Sequence, residues 1–309
     1  MLGAGPAWAT RPGPTGDGSG WVVGGMNGLV TSQRPALTPL PAPTAPPVPP
    51  TAGIDVSFVQ CGATLPTDRA FAVVGVNGGR ANTYNPCLPD QLAYAEALHG
   101  GTNQPVAQVY LNTGDPGNTV GDWPSPNQLG AYGSTSTPAG TCEFAAGTSG
   151  PGANSPGCAY IYGYDMVAGI VTPSGSVEGA APHFARVTGR SLGSQPVWLD
   201  VETENSWQKD RAMNVADLQG VVDAVRAAAG SADPVTVGIY STAYQWDRIT
   251  GTPIGDAAGN LTGPAWVAGA STAVDAQLTC ALASSFTGGR VALVQWVGAG
   301  FDENLSCTG

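Results

Sequence analysis

The stretch PVWLDVETENSW, residues 196–207, joins a short apolar run to three closely spaced carboxylates. The apolar run 197–199 predicts a buried strand. Asp200, Glu202 and Glu204 follow at alternate positions, and side chains two apart in a strand share one face. We therefore expect these carboxylates to point the same way where an apolar strand ends.

Carboxylates at this spacing would interact strongly. Strand neighbours two apart lie roughly 6–7 Å from each other, and two charges at that distance repel by about 2–3 kcal/mol at an effective dielectric constant of about 20. Such repulsion raises one pKa by up to about two units. One carboxyl would stay protonated while its neighbour is ionised, as acid catalysis on a glycosidic bond requires. In the alternative interpretation, Glu204 is a solvated loop charge and the other two carboxylates cap turns.

The composition excludes several classes of partner. The 309 residues carry a formal net charge of −11, and Lys209 is the only lysine. Nucleic acid and anionic lipid surfaces are poor partners for such a chain, because both require clusters of Lys and Arg. No stretch approaches the roughly 20 apolar residues of a membrane span. The acidic charge and the preference for Arg over Lys suit a secreted or cell-surface protein from a GC-rich bacterium.

The cysteines predict disulfide bonds. The chain has six, which are Cys61, Cys87, Cys142, Cys158, Cys280 and Cys307. Six cysteines allow 15 pairings. Pairing them in sequence order, Cys61 with Cys87, Cys142 with Cys158 and Cys280 with Cys307, closes the shortest loops. Free buried thiols are the alternative. Only two histidines are present and zinc-ligand spacing is missing, so we predict no metal and no cofactor.

The N-terminal part has a different composition from the rest. Residues 1–9 end in Ala-Trp-Ala, which resembles the cleavage site at the end of a signal peptide. Residues 10–52 are predicted to be a flexible arm that ends in a proline-rich linker. The folded domain then covers 53–309, and the arm is a candidate for binding a surface-assembly partner.

Within that domain, apolar strands alternate with helical segments, which predicts a parallel sheet. Seven strands are clear, at 53–62, 71–79, 105–117, 197–202, 234–241, 264–271 and 291–297. Helices are predicted at 89–98, 159–170 and 215–229, the last with Asn214 as its N-cap. The length favours an α/β fold of the (β/α)8 TIM-barrel type, with disulfide-stapled loops and a fourth strand that is missing or lies within 118–157. A doubly wound sheet is the alternative, but no G-x-G-x-x-G follows the first strand.

The predicted strand ends carry residues suited to binding sugars. In such barrels the chemistry lies at the carboxyl ends of the strands. Besides the acidic stretch, those ends carry Asp55, Asn77, Tyr110, Tyr240, Trp266, Gln295 and Trp296. Aromatic faces stack on sugar rings while amides and carboxylates bind hydroxyls, although aromatic residues at such positions can also be part of the core.

Several motifs resemble a known family. GIDVS (53–57), WLDVE (198–202), GIYS (238–241), AWVA (265–268) and VQW (294–296) with Asp302 come in the order seen in family-25 glycoside hydrolases, the lysozyme-like muramidases. YLNTGDPG (110–117), CAYIYGYD (158–165) and LDVETENSW (199–207) resemble a related group of secreted actinobacterial glycoside-hydrolase-like barrel proteins. The resemblance covers about 53–307.

The resemblance implies roles for particular residues. Glu202 would be the general acid, Asp200 would orient or stabilise an N-acetyl group, and Asp55 would line the same pocket. The chain departs from the family after its second strand, where residues 76–79 read VNGG, and lacks the usual histidine signature of the fourth strand. A secreted hydrolase of a peptidoglycan-like polysaccharide is the leading hypothesis. The alternatives are an inactive glycan-binding barrel and a structural surface protein attached through its arm.

Overall fold

The computed structural model describes residues 51–119, 121–172, 175–230, 235–252, 261–282 and 284–307. The predicted signal-peptide end and all but the last residues of the predicted arm lie outside these ranges. The chain divides into two compact units between Pro46 and Pro47, and the described residues all belong to the second unit. None of the helices in these ranges is long and apolar enough to cross a membrane.

Eight strands form a closed barrel. The strands among the described residues, in order, are β1 (Ala52–Val56), β2 (Ala72–Gly75), β3 (Ala107–Asn112), β4 (Ser136–Thr137), β5 (Gly140–Thr141), β6 (Ile170–Thr172), β7 (Gly175–Val177), β8 (Val197–Asp200), β9 (Val237–Ser241), β10 (Ala265–Ala270), β11 (Val291–Val297) and β12 (Asp302–Ser306). The barrel order is β1-β2-β3-β8-β9-β10-β11-β12, and β12 returns to β1. The predicted α/β barrel is confirmed, and all seven predicted strands belong to it.

The fourth strand is missing, which is one of the two alternatives that the sequence left open. Strand β3 pairs directly with β8, so no barrel strand lies within 118–157. The eighth strand is β12, which runs antiparallel to both β11 and β1. A tight turn after β11 returns the chain at once, and the Gly298 amide donates to the Phe301 carbonyl. The barrel is therefore closed by a hairpin instead of a βα unit.

Within the described ranges, six α-helices accompany the strands: α1 (Leu88–Glu96), α2 (Pro156–Ala168), α3 (Ala180–Thr188), α4 (Arg211–Ala229), α5 (Ala243–Thr250) and α6 (Ala273–Leu282). The three predicted helices correspond to α1, α2 and α4. Helix α4 begins four residues before the predicted start, because Asp210 is its N-cap and accepts from the Ala212 amide. The prediction that Asn214 caps it was wrong: Asn214 is fully buried inside the helix and bonds the backbone of Gln208 and Ile249.

Aromatic rings fill the inside of the barrel. Trp198, Trp266 and Phe71 are buried there, with Tyr110 and Tyr240 above them. This packing requires glycine at neighbouring positions. A Cβ on Gly238 would lie 2.3 Å from the Trp198 ring, and one on Gly75 would lie 2.7 Å from the Tyr110 ring.

The long segment between β3 and α2 has a small core of its own. Trp123 is buried against Tyr162, and Tyr132 contacts Tyr160 and Tyr164 of the same helix. The short hairpin β4–β5 precedes Cys142, whose disulfide with Cys158 ties the segment to the start of α2. Packing against α2 and a disulfide therefore order a stretch that is rich in Gly, Ser and Pro.

The other two disulfides join Cys61 to Cys87 and Cys280 to Cys307. The cysteines are thus paired in sequence order, the first with the second, the third with the fourth and the fifth with the sixth. This is the arrangement that closes the shortest loops. The first bond ties the loop after β1 to the start of α1, and the last ties α6 to the end of β12. A loop of about 15 residues closed by a disulfide stabilises the fold by about 3 kcal/mol in the chain-entropy account.

Candidate active site

An open cleft of about 170 Å³ lies at the carboxyl ends of the barrel strands. Its walls combine four carboxyls with amides, a hydroxyl and aromatic rings. The lining residues are Asp55, Ser57, Val59, Gln60, Tyr110, Asp200, Glu202, Tyr240, Trp266, Gln295 and Asp302. Seven of the nine residues predicted from the strand ends are thereby brought together.

The strand register explains why these residues meet. Asp200 is level with Asn112 on one side and with Tyr240 on the other, and Tyr240 is level with Trp266. Across the closure of the barrel, Asp55 lies opposite Asp302. Residues at one level of a barrel share its interior, so segments far apart in the chain contribute to one cleft.

Asp200 is the last residue of β8 and is buried. The Nδ2 atom of Asn112 donates to its Oδ2 atom at 2.5 Å. Burial raises the pKa of Asp200 well above its usual value, and the nearby charge of Glu202 raises it further, while the Asn112 hydrogen bond opposes both. The Asp200 carboxyl therefore holds a proton much more readily than an exposed aspartate.

Glu202 lies two residues beyond the strand and is half-buried. Its backbone is fixed by two bonds: Trp207 Nε1 donates to the Glu202 carbonyl at 2.7 Å, and the next amide, of Thr203, donates to Gln245 Oε1 at 2.8 Å. Burial raises the pKa of Glu202, and the charge of Glu204 raises it further. The carboxyl is thus placed at the rim of the cleft, where it is accessible and readily protonated.

Glu204 does not join the other two carboxylates, so the prediction that all three point the same way was wrong. The strand ends at Asp200, and a turn begins at Thr203, which breaks the two-residue alternation. Glu204 is exposed and lines a neighbouring groove with Arg80 and Asp122. The interpretation of Glu204 as a solvated loop charge describes it better.

Asp55 lies on the opposite wall and is held by two amides. Gln295 Nε2 and Asn304 Nδ2 donate to its Oδ2 atom at 2.9 and 2.7 Å. Burial raises the pKa of Asp55 to about 7, with a further contribution from Asp302. Near neutral pH, Asp55 is therefore divided between its protonated and ionised forms.

The aromatic residues form the floor of the cleft. Tyr240 and Trp266 have ring centroids 4.5 Å apart, and the Tyr240 hydroxyl donates to Gln295 Oε1 at 2.8 Å. Trp266 is only 2% exposed and its Nε1 atom donates to Asn304 at 2.7 Å. Tyr110 and Tyr240 are half-buried and reach the cleft, whereas Trp266 supports them from below.

Two predicted binding residues lie elsewhere. Trp296 is on the outer face of the barrel, packed with Ala276 of α6, because neighbouring residues of β11 alternate and Gln295 occupies the inner face. Asn77 is buried and turned to the backbone: its Oδ1 atom accepts from the Asn112 amide and its Nδ2 atom donates to the Ala81 carbonyl. Neither side chain lines the cleft.

The structure adds residues that the predicted site did not include. Val59 and Gln60 come from a short 3₁₀ helix just after β1, and Asp302 comes from β12. Asn304, also on β12, holds Asp55 from below. The alternation of Asp302, Asn304 and Ser306 in the sequence DENLS is the pattern of a half-polar strand, and it was the available signal for β12.

The arrangement suits proton transfer and the binding of hydroxyl groups. Within the described ranges, no group of three or more His, Cys, Asp or Glu side chains is placed to hold a metal ion. The cleft instead holds Asp55, Asp200, Glu202 and Asp302, each with a raised pKa. Pairs of carboxyls whose surroundings favour retention of a proton are typical of sites for general acid–base chemistry.

Comparisons with known proteins agree with the resemblance seen in the motifs. The sequence profile of a family described as "Lysozyme-like protein 1" matches residues 172–264. That stretch contains β8, α4, β9 and α5, and with them Asp200 and Glu202. Over these residues the chain is similar to a lysozyme-like family, which agrees with the lysozyme-like part of the resemblance seen in the motifs. No curated protein matches the chain.

Several solved structures are similar over most of their length. A muramidase from Trichobolus zukalii is 15% identical, with a TM-score of 0.44, over 84% of this chain and 94% of that one. A bacterial lysozyme from Streptomyces coelicolor is 16% identical, with a TM-score of 0.42, over 84% and 93%. A family 25 glycosyl hydrolase from Bacillus anthracis is 13% identical, with a TM-score of 0.42, over 84% and 89%. The fold assignment rests on the strand order of the barrel itself.

Proposed function

We propose that this protein is a secreted or cell-surface glycoside hydrolase that cleaves an N-acetylated, peptidoglycan-like glycan by carboxylate acid catalysis. The observation that carries the proposal is the set of three carboxyls, Asp55, Asp200 and Glu202, that share one cleft and have raised pKa values. The three disulfides support an extracellular location, because disulfides persist in oxidising compartments.

Glu202 is the proposed general acid. Cleavage of a glycosidic bond requires a protonated carboxyl next to the leaving oxygen. Glu202 lies at the rim, beyond the end of β8, with a raised pKa and a half-buried side chain, and its backbone is fixed by the bonds to Trp207 and Gln245. It can therefore reach a bound polymer and deliver a proton without reorganising the loop.

Asp200 is the proposed assisting carboxyl. It lies deeper than Glu202, and Asn112 donates to it from the neighbouring strand. An acceptor at this position can bind the N–H of an N-acetyl group and orient it towards the reacting carbon. Asp55 faces the same space from β1, where it and Gln295 present polar atoms to sugar hydroxyls.

The test compares Glu202→Gln with Glu204→Gln on peptidoglycan and chitin oligomers. Each change removes one carboxylate, but only Glu202 lines the cleft. Loss of a general acid lowers rates by about 10²- to 10⁴-fold, so soluble products measured by mass spectrometry should nearly vanish for Glu202→Gln. The Glu204→Gln protein should still release soluble products when it is assayed at its own optimum pH. Undiminished product release by a correctly folded Glu202→Gln protein would contradict the assignment.

Binding of a glycan without cleavage is the second candidate. One observation favours it: no residue of the segment after β2, from Val76 to Cys87, is among those that line the cleft. The segment after β2 therefore provides no side chain to the wall of the cleft that would contact a substrate. In the same experiment this candidate predicts that the wild-type protein is retained on insoluble glycan while no new reducing ends appear.

A further inference from the structure

A small cavity lies directly behind Asn112, between β3, α2 and α4. Its volume is about 10 Å³. The side of β3 contributes Leu111 and Asn112, helix α2 contributes Met166, and helix α4 contributes Asp217 and Val221. A cavity needs about 10–15 Å³ to hold one water molecule, so this one has room for a single small occupant.

Three buried oxygen atoms of residues that line this cavity have no hydrogen-bond partner among the described residues. They are both carboxyl oxygens of Asp217 and the Oδ1 atom of Asn112. Asp217 is 1% exposed, and an unpaired buried polar group costs about 1–3 kcal/mol. The other end of the Asn112 amide is occupied, because Nδ2 donates to Asp200. A small group that hydrogen-bonds to both Asp217 and Asn112 would satisfy these atoms.

We propose that one buried water molecule occupies this cavity, accepts a hydrogen bond from the Asp217 carboxyl and donates one to Asn112 Oδ1. The link fixes the orientation of the Asn112 amide, so that its Nδ2 atom faces Asp200. Asp217 is then a positioning residue that acts on the cleft from behind the barrel wall. Its effect on catalysis rests on the proposed function, whereas the hydrogen-bond link does not.

The surroundings of Asp217 favour the protonated carboxyl that this link needs. Burial raises its pKa well above the usual value, and the nearby Asp115 raises it further. From α2, the Tyr162 phenol is close enough for its own pKa to be raised by Asp217, and Gly163 packs directly on the Asp217 backbone. The described residues that line the cavity include no Lys or Arg to favour the charged form.

Loss of the link should change the pKa of Asp200. The Asn112 hydrogen bond lowers the pKa of Asp200 against the opposing effects of burial and Glu202. If the amide is free to turn, that bond weakens and the pKa of Asp200 rises further. Asp217→Ala should therefore raise this pKa, while Asp217→Asn, whose amide can both donate and accept, should keep it close to that of the wild type.

The experiment is an NMR titration of the Asp200 carboxyl in protein labelled with ¹³C in its aspartate side chains, with the Asp200→Asn spectrum used for assignment. Val221→Ala is the matched control, because it enlarges the same cavity without removing a polar atom. We expect an upward shift in Asp217→Ala only, and rescue in Asp217→Asn. If the enzyme is active, kcat should fall by about tenfold in Asp217→Ala with little change in KM, as for other supporting hydrogen bonds around a site.

Two results would overturn the inference. The first is an unchanged Asp200 titration in a folded Asp217→Ala protein, or an equal shift in Val221→Ala. The second is an increase in the melting temperature of the wild-type protein on addition of sodium, potassium or calcium, with no such increase for Asp217→Asn. That result would place a cation in the cavity. An inactive wild-type protein with the expected titrations would refute the proposed function alone.

Discussion

At the scale of single residues, the position of Glu202 relative to Glu204 determines what each carboxylate can do. Both follow the same strand, but the turn at Thr203 leaves one in the cleft and the other in solvent. Glu204 still acts on its neighbour through its charge, because that charge raises the pKa of Glu202 in addition to the larger effect of burial.

This proximity predicts a change in the pH profile. A general acid works only while protonated, so activity should be lost as the pH rises through the pKa of Glu202. Glu204→Gln removes one cause of the raised pKa, and the alkaline limb of kcat against pH should move to lower pH. Because Glu204 is exposed, about 1 M salt should screen its charge and shrink the difference between the two proteins. An alkaline limb that stays in place at low salt would show that another group controls it.

At the scale of elements, the crossing of α2 and α4 supports one side of the barrel. The two helices approach each other at glycines: a Cβ on Gly220 would lie 2.0 Å from the Tyr160 carbonyl oxygen, and one on Gly163 would lie 2.1 Å from that of Asp217. Both obstacles are backbone atoms, which cannot rotate away. The close approach also sets the position of Asp217 against the wall of the cleft.

Gly220→Ala should therefore destabilise the protein. Alanine gains about 1 kcal/mol over glycine in a helix interior, but overpacking costs about 1–3 kcal/mol and sometimes more. With a rigid obstacle at 2.0 Å the second effect should win, and we expect a net loss of at least about 2 kcal/mol in urea unfolding. Gly300→Ala, where nothing lies within 4 Å of the added Cβ, is the control and should be nearly neutral. Equal stability of the two variants would contradict this account of the crossing.

At the scale of the whole molecule, many carboxyls of the described ranges are buried without an ion pair, because the ion pairs found there involve other acidic residues. Burial is the main cause of a raised pKa in seven of them: Asp55, Asp115, Asp165, Asp200, Glu202, Asp217 and Asp302. Where values are resolved, they are about 7, 6 and 8 for Asp55, Asp115 and Asp165. The net charge of −11 acts in the same direction.

These shifts predict that the fold is most stable in mild acid. A carboxyl whose pKa is higher in the folded state binds its proton more tightly there, so its stabilising contribution is lost as the pH rises from the unfolded value, near 4, through the folded one. We expect the melting temperature to fall steadily from about pH 4.5 to pH 8. Asp165→Asn should flatten the slope above pH 6. Among the described residues, two groups oppose the trend: His183, whose pKa burial lowers, and Glu178, whose pKa the hydrogen bond from Arg186 lowers. A melting temperature that rises over this range would contradict the prediction.

The sequence by itself determined the class of fold and most of the cleft. Apolar runs fixed seven strands because a parallel strand is buried on both faces, and residues at the ends of such strands must share one edge of the barrel. Asp55, Tyr110, Asp200, Glu202, Tyr240, Trp266 and Gln295 were found in this way. Local spacing was sufficient because each strand end is set by the few residues around it.

Tertiary structure decided what depends on distant segments. Strand β12 closes the barrel because β1 and β11 each leave an edge to be paired, and its five residues carry no long apolar run that would mark them. Gln295 of β11 faces the interior of the barrel, where it bonds Asp55 of β1. Because neighbouring residues of a strand alternate, Trp296 faces outwards. The turn after Asp200 removed Glu204 from the cleft, and only the packing of α2 against α4 placed Asp217 behind Asn112. The barrel closure, the bond from Gln295 to Asp55 and the packing of α2 on α4 rest on contacts between residues far apart in the chain. Local patterns such as the polar alternation in β12 were therefore too weak to predict them.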